Sequence, residues 1–160
     1  MNHNKVIKIM EKAQEYADNN SRCKKVAVGS AICLNDSDRI VIFGANTTLP
    51  ESCKEVGCLR EELYGEDSKS HRLPSDCRAI HSEIDAISQA ARVGLSTKGA
   101  SIVVTRYPCE ACARAIVTAG ITKVYYGRNQ EISELTKEIF NKAKVQVQWK
   151  KGLDYEDTTR

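Results

Sequence analysis

The chain has 160 residues, 41% of them hydrophobic and 28% charged, a balance ordinary for one globular domain with room for a real core. No apolar run approaches the roughly 20 residues that span a membrane, and Met1 to Asn20 mixes Lys, Glu, Asp and Asn among its apolar residues, so no signal peptide is expected. The net charge of +3 suits a phosphate-bearing ligand without the basic excess of a nucleic-acid binder. A cytoplasmic location, with neither membrane nor nucleic acid as partner, is the expectation.

In chain order, Lys5 to Asp18 places Val6, Ile9, Met10, Ala13, Tyr16 and Ala17 at the spacing of one buried helix face. Val26 to Leu34 and Arg39 to Gly44 are apolar and β-rich, and Asn35-Asp36-Ser37-Asp38 between them is a turn, so the pair reads as a hairpin. A helix is predicted from an N-cap at Ser75 to about Arg92, with Ile80, Ile84, Ile87 and Ala91 as its apolar stripe and Gly94 past its end. Then come a buried strand over Ser101 to Thr105, a helix over about Cys109 to Ala119, a strand over Lys123 to Tyr126, a helix over Glu131 to Ala143 through Ile132, Leu135 and Ile139, and a strand over Val145 to Trp149. Helix, hairpin, then alternating strand and helix predicts one three-layer α/β domain over 1–160, with a central mixed five-stranded sheet flanked by helices. The polar stretch from about 152 to 160 reads as a frayed tail.

Between the hairpin and the second helix, about 46–76, no period is visible. A structureless insertion of that length inside a compact domain calls for a function or a local crosslink. It carries Cys53 and Cys58, with Cys77 just after it and Cys23 upstream. Seven cysteines without a signal peptide point to metal rather than to disulfides; Cys33, in an apolar strand, reads as a buried thiol.

The chemistry concentrates in His81-Ser82-Glu83 and Pro108-Cys109-Glu110-Ala111-Cys112. His81, Cys109 and Cys112 make three ligands of the kind zinc prefers, and three protein ligands are the mark of a catalytic site that keeps a fourth position open. Zinc lowers the pKa of bound water to about 7 and so supplies a nucleophile at neutral pH. Glu83 is placed to move protons without binding the metal. A closed structural site would need a fourth protein ligand, and such sites often carry paired C-x-x-C motifs; only one C-x-x-C is present.

H-x-E followed by P-C-x-x-C is the pattern of zinc nucleobase deaminases, and the surrounding residues resemble one branch of them. Cys77-Arg78-Ala79-Ile80-His81-Ser82-Glu83-Ile84-Asp85-Ala86-Ile87 is similar to the zinc helix of deoxycytidylate (dCMP) deaminases. Gly99 to Thr105, Tyr107 to Ala113 and Ala119 to Tyr126 resemble the strand, second zinc helix and following strand of that family. Ser21-Arg22-Cys23 with Val28-Gly29-Ser30, and Gly57-Cys58-Leu59-Arg60-Glu61, extend the likeness upstream. The resemblance implies the cytidine-deaminase fold and hydrolysis of dCMP to dUMP and ammonia. It further implies a homo-oligomer, with a hexamer favoured, and dCTP and dTTP as effectors. By motif it gives zinc to His81, Cys109 and Cys112, proton transfer to Glu83, a sugar contact to Asn46 and an aromatic contact near the base to Tyr126. Lys25 is either a phosphate contact or a solvated lysine; Arg60, Arg78 and Arg106 are further phosphate candidates. Cys23, Cys53, Cys58 and Cys77, with His71 as an alternative ligand, match positions that hold a second, structural zinc; reduced, partly buried thiols are the other reading. Zinc would order an insertion that has little apolar content of its own.

Three residues depart from the family pattern. Ser82 replaces the alanine of H-A-E, Asp85 replaces an asparagine, and the glycine-rich loop G-Y-N-G-x-P is here Gly44-Ala45-Asn46-Thr47-Thr48-Leu49-Pro50. Glycines allow close backbone approach to a ligand, so their loss bears on triphosphate regulation and on the exact substrate. The competing classes are a deaminase of a modified cytosine or another mononucleotide, a tRNA adenosine deaminase, and a nucleotide sensor without catalysis.

Overall fold

The buried stretch Gly29–Cys33 has all five residues out of solvent, the pattern of a strand covered on both faces. The computed structural model describes residues 1–48, 51–69, 76–128 and 132–151. His71, Ser75 and the polar tail from 152 onward lie outside the described residues. In chain order the elements are α1 (His3–Asn20), β1 (Gly29–Cys33), β2 (Ile40–Ala45), β3 (Thr47–Thr48), α2 (Cys53–Val56), α3 (Leu59–Tyr64), β4 (Ala79–Ile80), α4 (Ser82–Arg92), β5 (Ser101–Arg106), α5 (Glu110–Thr118), β6 (Lys123–Arg128), α6 (Glu134–Lys142) and β7 (Gln146–Trp149).

Five strands form one mixed sheet in the order β2-β1-β5-β6-β7. β1 runs antiparallel to β2 and β5, and β5, β6 and β7 are parallel. One face packs Val6, Ile9, Met10 and Ala13 of α1 against Ala31, Cys33, Val103 and Tyr125. The other packs Ala86 and Ala90 of α4, Ala113 and Ile116 of α5 and Phe140 of α6 against Ile32, Ile102, Val104, Val124 and Tyr126. The three-layer α/β architecture expected from the element order is therefore present, and Cys33 is buried as predicted.

Two helices differ from the sequence prediction. The helix expected from Ser75 starts only at Ser82, with His81 as its N-cap. Ala79 and Ile80 are instead drawn into a two-residue antiparallel ribbon with Thr48 and Thr47. The buried face of α4 is Ser82, Glu83, Ala86 and Ala90 rather than the stripe of isoleucines. Close packing against β2 selects small residues there, because the strand's Gly44 lies under the helix's first turns. In α6 the buried residues are Thr136 and Phe140, while Leu135 is exposed and Ile132 and Ile139 are partly buried at the edge of the core.

The insertion is not structureless. Ser52 caps α2 in a capping box, its hydroxyl accepting from the Lys54 amide while the Glu55 carboxylate accepts from the Ser52 amide. α3 is tied to its surroundings by charge: Glu61 pairs with Lys24 and Lys25, and Glu62 with Arg78.

Candidate metal centre and active site

Two helices aim their N-termini at one point. His81 is the N-cap of α4 and Cys109 the N-cap of α5, both in extended backbone conformation, and Cys112 lies in the first turn of α5. The His81 Nδ1 atom is 3.4 Å from Cys109 Sγ and 3.4 Å from Cys112 Sγ, and all three ligand atoms fall within 4.8 Å of one another. Tetrahedral zinc with Zn–S of about 2.3 Å and Zn–N of about 2.0–2.1 Å separates its ligand atoms by roughly 3.5–3.8 Å. The donor set and its spacing therefore fit zinc.

The electrostatics agree with that fit. The Cys109 thiol is brought down to about 4, first by the hydrogen bond from Cys112 and then, against the cost of burial, by His81. A helix N-terminus favours a thiolate in the same way. Cys112 is pushed up, because it keeps the proton it shares with Cys109 and because it is buried beside Glu83. His81 is raised chiefly by its hydrogen bond with Cys109; Glu83 adds to the rise and the Arg60 guanidinium opposes it. Arg60, from α3 in the insertion, thus lies in the electrostatic field of the metal ligands.

Glu83 is 4% exposed, and burial is the main cause that raises its carboxyl pKa. Its Oε2 lies 3.1 Å from the Ser82 hydroxyl. The backbone that carries both residues is fixed from below. The Ser30 hydroxyl donates to the Ser82 carbonyl at 2.7 Å, and the Ala45 amide donates to Asp85 Oδ2 at 3.0 Å. Asp85, the departure from the family's asparagine, also accepts from the Gln89 amide group at 2.9 Å. It braces the first turn of α4 onto the end of β2.

Asn46 follows β2 and precedes the ribbon, and the register of that ribbon (Thr47 with Ile80, Thr48 with Ala79) brings it to the end next to His81. Its side chain organises the 21–28 segment. Oδ1 accepts from the Val28 amide and the Ser21 hydroxyl, each at 2.8 Å, and Nδ2 donates to the Val26 carbonyl at 2.8 Å. Tyr126 lies on the α4–α6 face of the sheet in an edge-to-face contact with Tyr107, ring centroids 4.8 Å apart; Tyr107 leads directly into Pro108 and Cys109.

The basic candidates separate. Lys25 reaches Glu61 at 3.5 Å and donates to the Ser68 hydroxyl at 3.1 Å. Arg78 is bidentate to Glu62 at 3.1 and 3.0 Å. Arg106 pairs in register with Arg128 at the carboxyl ends of β5 and β6, on the strand edge that leads to Cys109. Arg128 was not among the sequence candidates; only the register of two parallel strands reveals it. Of the cysteine set, Cys53 is pushed up by burial first and then by Cys23, Cys77 and Cys58, so the four gather in one neighbourhood. Among the described residues, His81, Cys109 and Cys112 are the group whose ligand atoms already meet at metal-binding distance.

The family model described as "Cytidine and deoxycytidylate deaminase zinc-binding region" matches residues 3–128. ComE operon protein 2 of Bacillus subtilis is 33% identical over 131 residues, 80% of this chain and 62% of the relative. The deoxycytidylate deaminase of Enterobacteria phage T2 is 44% identical over 105 residues, 65% of this chain and 54% of the relative. The chain thus spans a little over half the length of these curated relatives. Among solved structures, the dCMP deaminase of cyanophage S-TIM5, crystallised with dCMP and dUMP, matches with a TM-score of 0.69 at 24% identity, covering 93% of this chain and 98% of that one. At that identity the likeness establishes the fold. No helix among the described residues is long and apolar enough to cross a membrane.

Proposed function

Because this chain belongs to the cytidine and deoxycytidylate deaminase family, matched across its zinc-binding region, we propose that it is a zinc-dependent hydrolase that converts dCMP and water to dUMP and ammonia. The observation that carries this is Glu83, a buried carboxyl held at the point where His81, Cys109 and Cys112 converge. A structural zinc site has no use for a buried acid beside its ligands, whereas hydrolytic deamination needs one.

His81, Cys109 and Cys112 would hold the zinc. Zinc held there supplies Lewis acidity, which at comparable sites brings the pKa of water down to about 7. Glu83 takes the proton released from water and delivers protons to ring nitrogen N3 and to the departing amine; burial raises its carboxyl pKa and so favours the donor form. Tyr126, buried against Tyr107, gives the base an aromatic wall. Asn46, whose side chain also orders the 21–28 segment, contacts the sugar, a role that rests on the family resemblance. Arg106 and Arg128, side by side at the strand ends, are the basic pair best placed for the 5′-phosphate. Lys25 and Arg78 engage carboxylates, and Arg106 and Arg128 also have interactions of their own.

Three further parts belong to the same proposal. A second, structural zinc is held by Cys23, Cys53, Cys58 and Cys77, supported by the clustering of the other three around Cys53. The chain works as a homo-oligomer, with a hexamer favoured, in pyrimidine nucleotide metabolism in the cytoplasm. dCTP and dTTP act as effectors. The last two parts rest on the family resemblance.

The test is a substrate panel of dCMP, dCTP, deoxycytidine, CMP and 5-substituted dCMP, followed by loss of cytosine absorbance. Selective turnover of dCMP supports the proposal. Turnover of another member alone moves the substrate and keeps the zinc chemistry.

A further inference from the structure

We infer that Ser82 is a positioning residue that fixes the Glu83 carboxylate, an inference that rests on Glu83 being the proton-carrying group proposed above. In the ionised form, the form that takes a proton from water, the carboxylate can only accept, so the 3.1 Å contact then gives the Ser82 proton to Oε2. Proton transfer then falls to the other oxygen, Oε1.

The geometry gives this contact more force than an ordinary neighbour contact. A glutamate side chain has three torsions, and the last of them is broad, so a carboxylate in a cavity is free to turn unless something holds it. Ser82 is itself immobile. It is fully buried, its carbonyl accepts the Ser30 hydroxyl at 2.7 Å, and Gly44 of β2 lies directly beneath that carbonyl. The main chain that carries the donor is therefore fixed to the sheet, and the hydroxyl it carries holds one oxygen of Glu83. Alanine, the residue of the H-A-E pattern, offers no donor at this position, so the device belongs to this chain. Proton transfer requires the heavy atoms to be held at hydrogen-bond distance. Holding the base matters to the chemical step and not to capture of the nucleotide.

The experiment measures kcat and KM for dCMP with zinc-loaded wild type, S82A, E83Q and the S82A/E83Q double variant, together with zinc content and thermal unfolding. A hydrogen bond to a charged group is commonly worth about ten-fold or more. S82A is expected to lose about ten-fold in kcat with KM, zinc content and thermal midpoint unchanged, and that loss is expected to vanish in the E83Q background. A second readout needs no turnover: a crystal structure of the zinc-loaded wild type is expected to keep Ser82 Oγ within hydrogen-bond distance of Glu83 Oε2. An S82A enzyme within two-fold of wild type, an equal loss in the E83Q background, or a Ser82 hydroxyl turned away from Glu83 overturns the inference while leaving the dCMP assignment intact. An inactive wild type overturns the assignment itself, and the inference with it.

Discussion

Gly44 lies directly under Ser82. A β-carbon built on Gly44 would sit 2.2 Å from the Ser82 carbonyl oxygen and 2.7 Å from the Ala86 amide nitrogen. Strand β2 and the first turn of α4 are thus in backbone contact, and the turn held there carries Glu83.

Gly44→Ala is therefore expected to be severe. The atoms it would strike are backbone, which cannot swing aside, so helix and strand must separate. Overpacking of this kind costs about 1–3 kcal/mol, and more where the clash is with main chain. A urea titration should show at least about 3 kcal/mol of lost stability. An alanine variant as stable as wild type would show that α4 sits further from β2.

Asn46 holds three polar groups of the 21–28 segment, with a buried side chain. Asn46→Ala removes the acceptor of the Val28 amide and one donor to the Val26 carbonyl, while the Ser21 hydroxyl keeps the main-chain carbonyl of residue 46 at 3.0 Å. Each buried unsatisfied group costs about 1–3 kcal/mol, so a total of about 2–4 kcal/mol is expected after water reaches some of them. Limited proteolysis should then cut within 21–28 in the variant and not in wild type. Equal resistance in both would mean that the segment is ordered by other contacts.

Much of this was legible in the sequence, and what was not has identifiable causes. The convergence of His81, Cys109 and Cys112, the place of Glu83 and the layer order follow from two short motifs and from hydrophobic periods. The start of α4 differs from the sequence expectation because Ile80 falls on the helical period of Ile84 and Ile87, while its pairing with Thr47 is a long-range contact that no local pattern reveals. The buried face of α4 differs from the isoleucine stripe because contact with Gly44 of β2 falls on Ser82 and Ala86, where only small side chains fit. Helices α2 and α3 span only four and six residues, too short for a period to emerge. The capping box from Ser52 to Glu55 is the one readable sequence signal for α2. Arg128 became visible only once strand register placed it beside Arg106.

Asp36 gives a pH prediction remote from the metal centre. Partial burial pushes its carboxyl up. Hydrogen bonds from Lys123 at 2.6 Å, from the Met1 ammonium at 2.8 Å and from the Tyr125 hydroxyl at 2.8 Å outweigh that and hold it at about 2. A carboxyl depressed in the folded state contributes stability that is present above its unfolded pKa, about 3.9, and is lost as pH falls toward 2. Allowing for solvent screening, Asp36→Asn should cost about 1–2 kcal/mol at pH 7 and only a small part of that at pH 2, where half of the folded carboxyl is still ionised. Denaturant melts at the two pH values test this; a cost independent of pH would show that the carboxylate charge plays no part.

The second metal site is open to counting. Elemental analysis of the purified protein should find two zinc ions per chain, Cys58→Ser should remove one, and His81→Ala should remove the other. Since Cys53 gathers its neighbours in a segment with little apolar content, Cys58→Ser should also lower the thermal midpoint. One zinc per chain in the wild type would mean that Cys23, Cys53, Cys58 and Cys77 are thiols and nothing more.

The central claim is that Glu83, buried beside the His81–Cys109–Cys112 triangle, carries the protons of a dCMP deamination. Its most direct test is ammonia release from dCMP by zinc-loaded wild type and Glu83→Ala at matched zinc content. Wild type should release one ammonia for each dUMP formed, and the variant should fall by at least about a thousand-fold while keeping its zinc. Comparable turnover by both proteins, or none by the wild type with zinc bound, would contradict it.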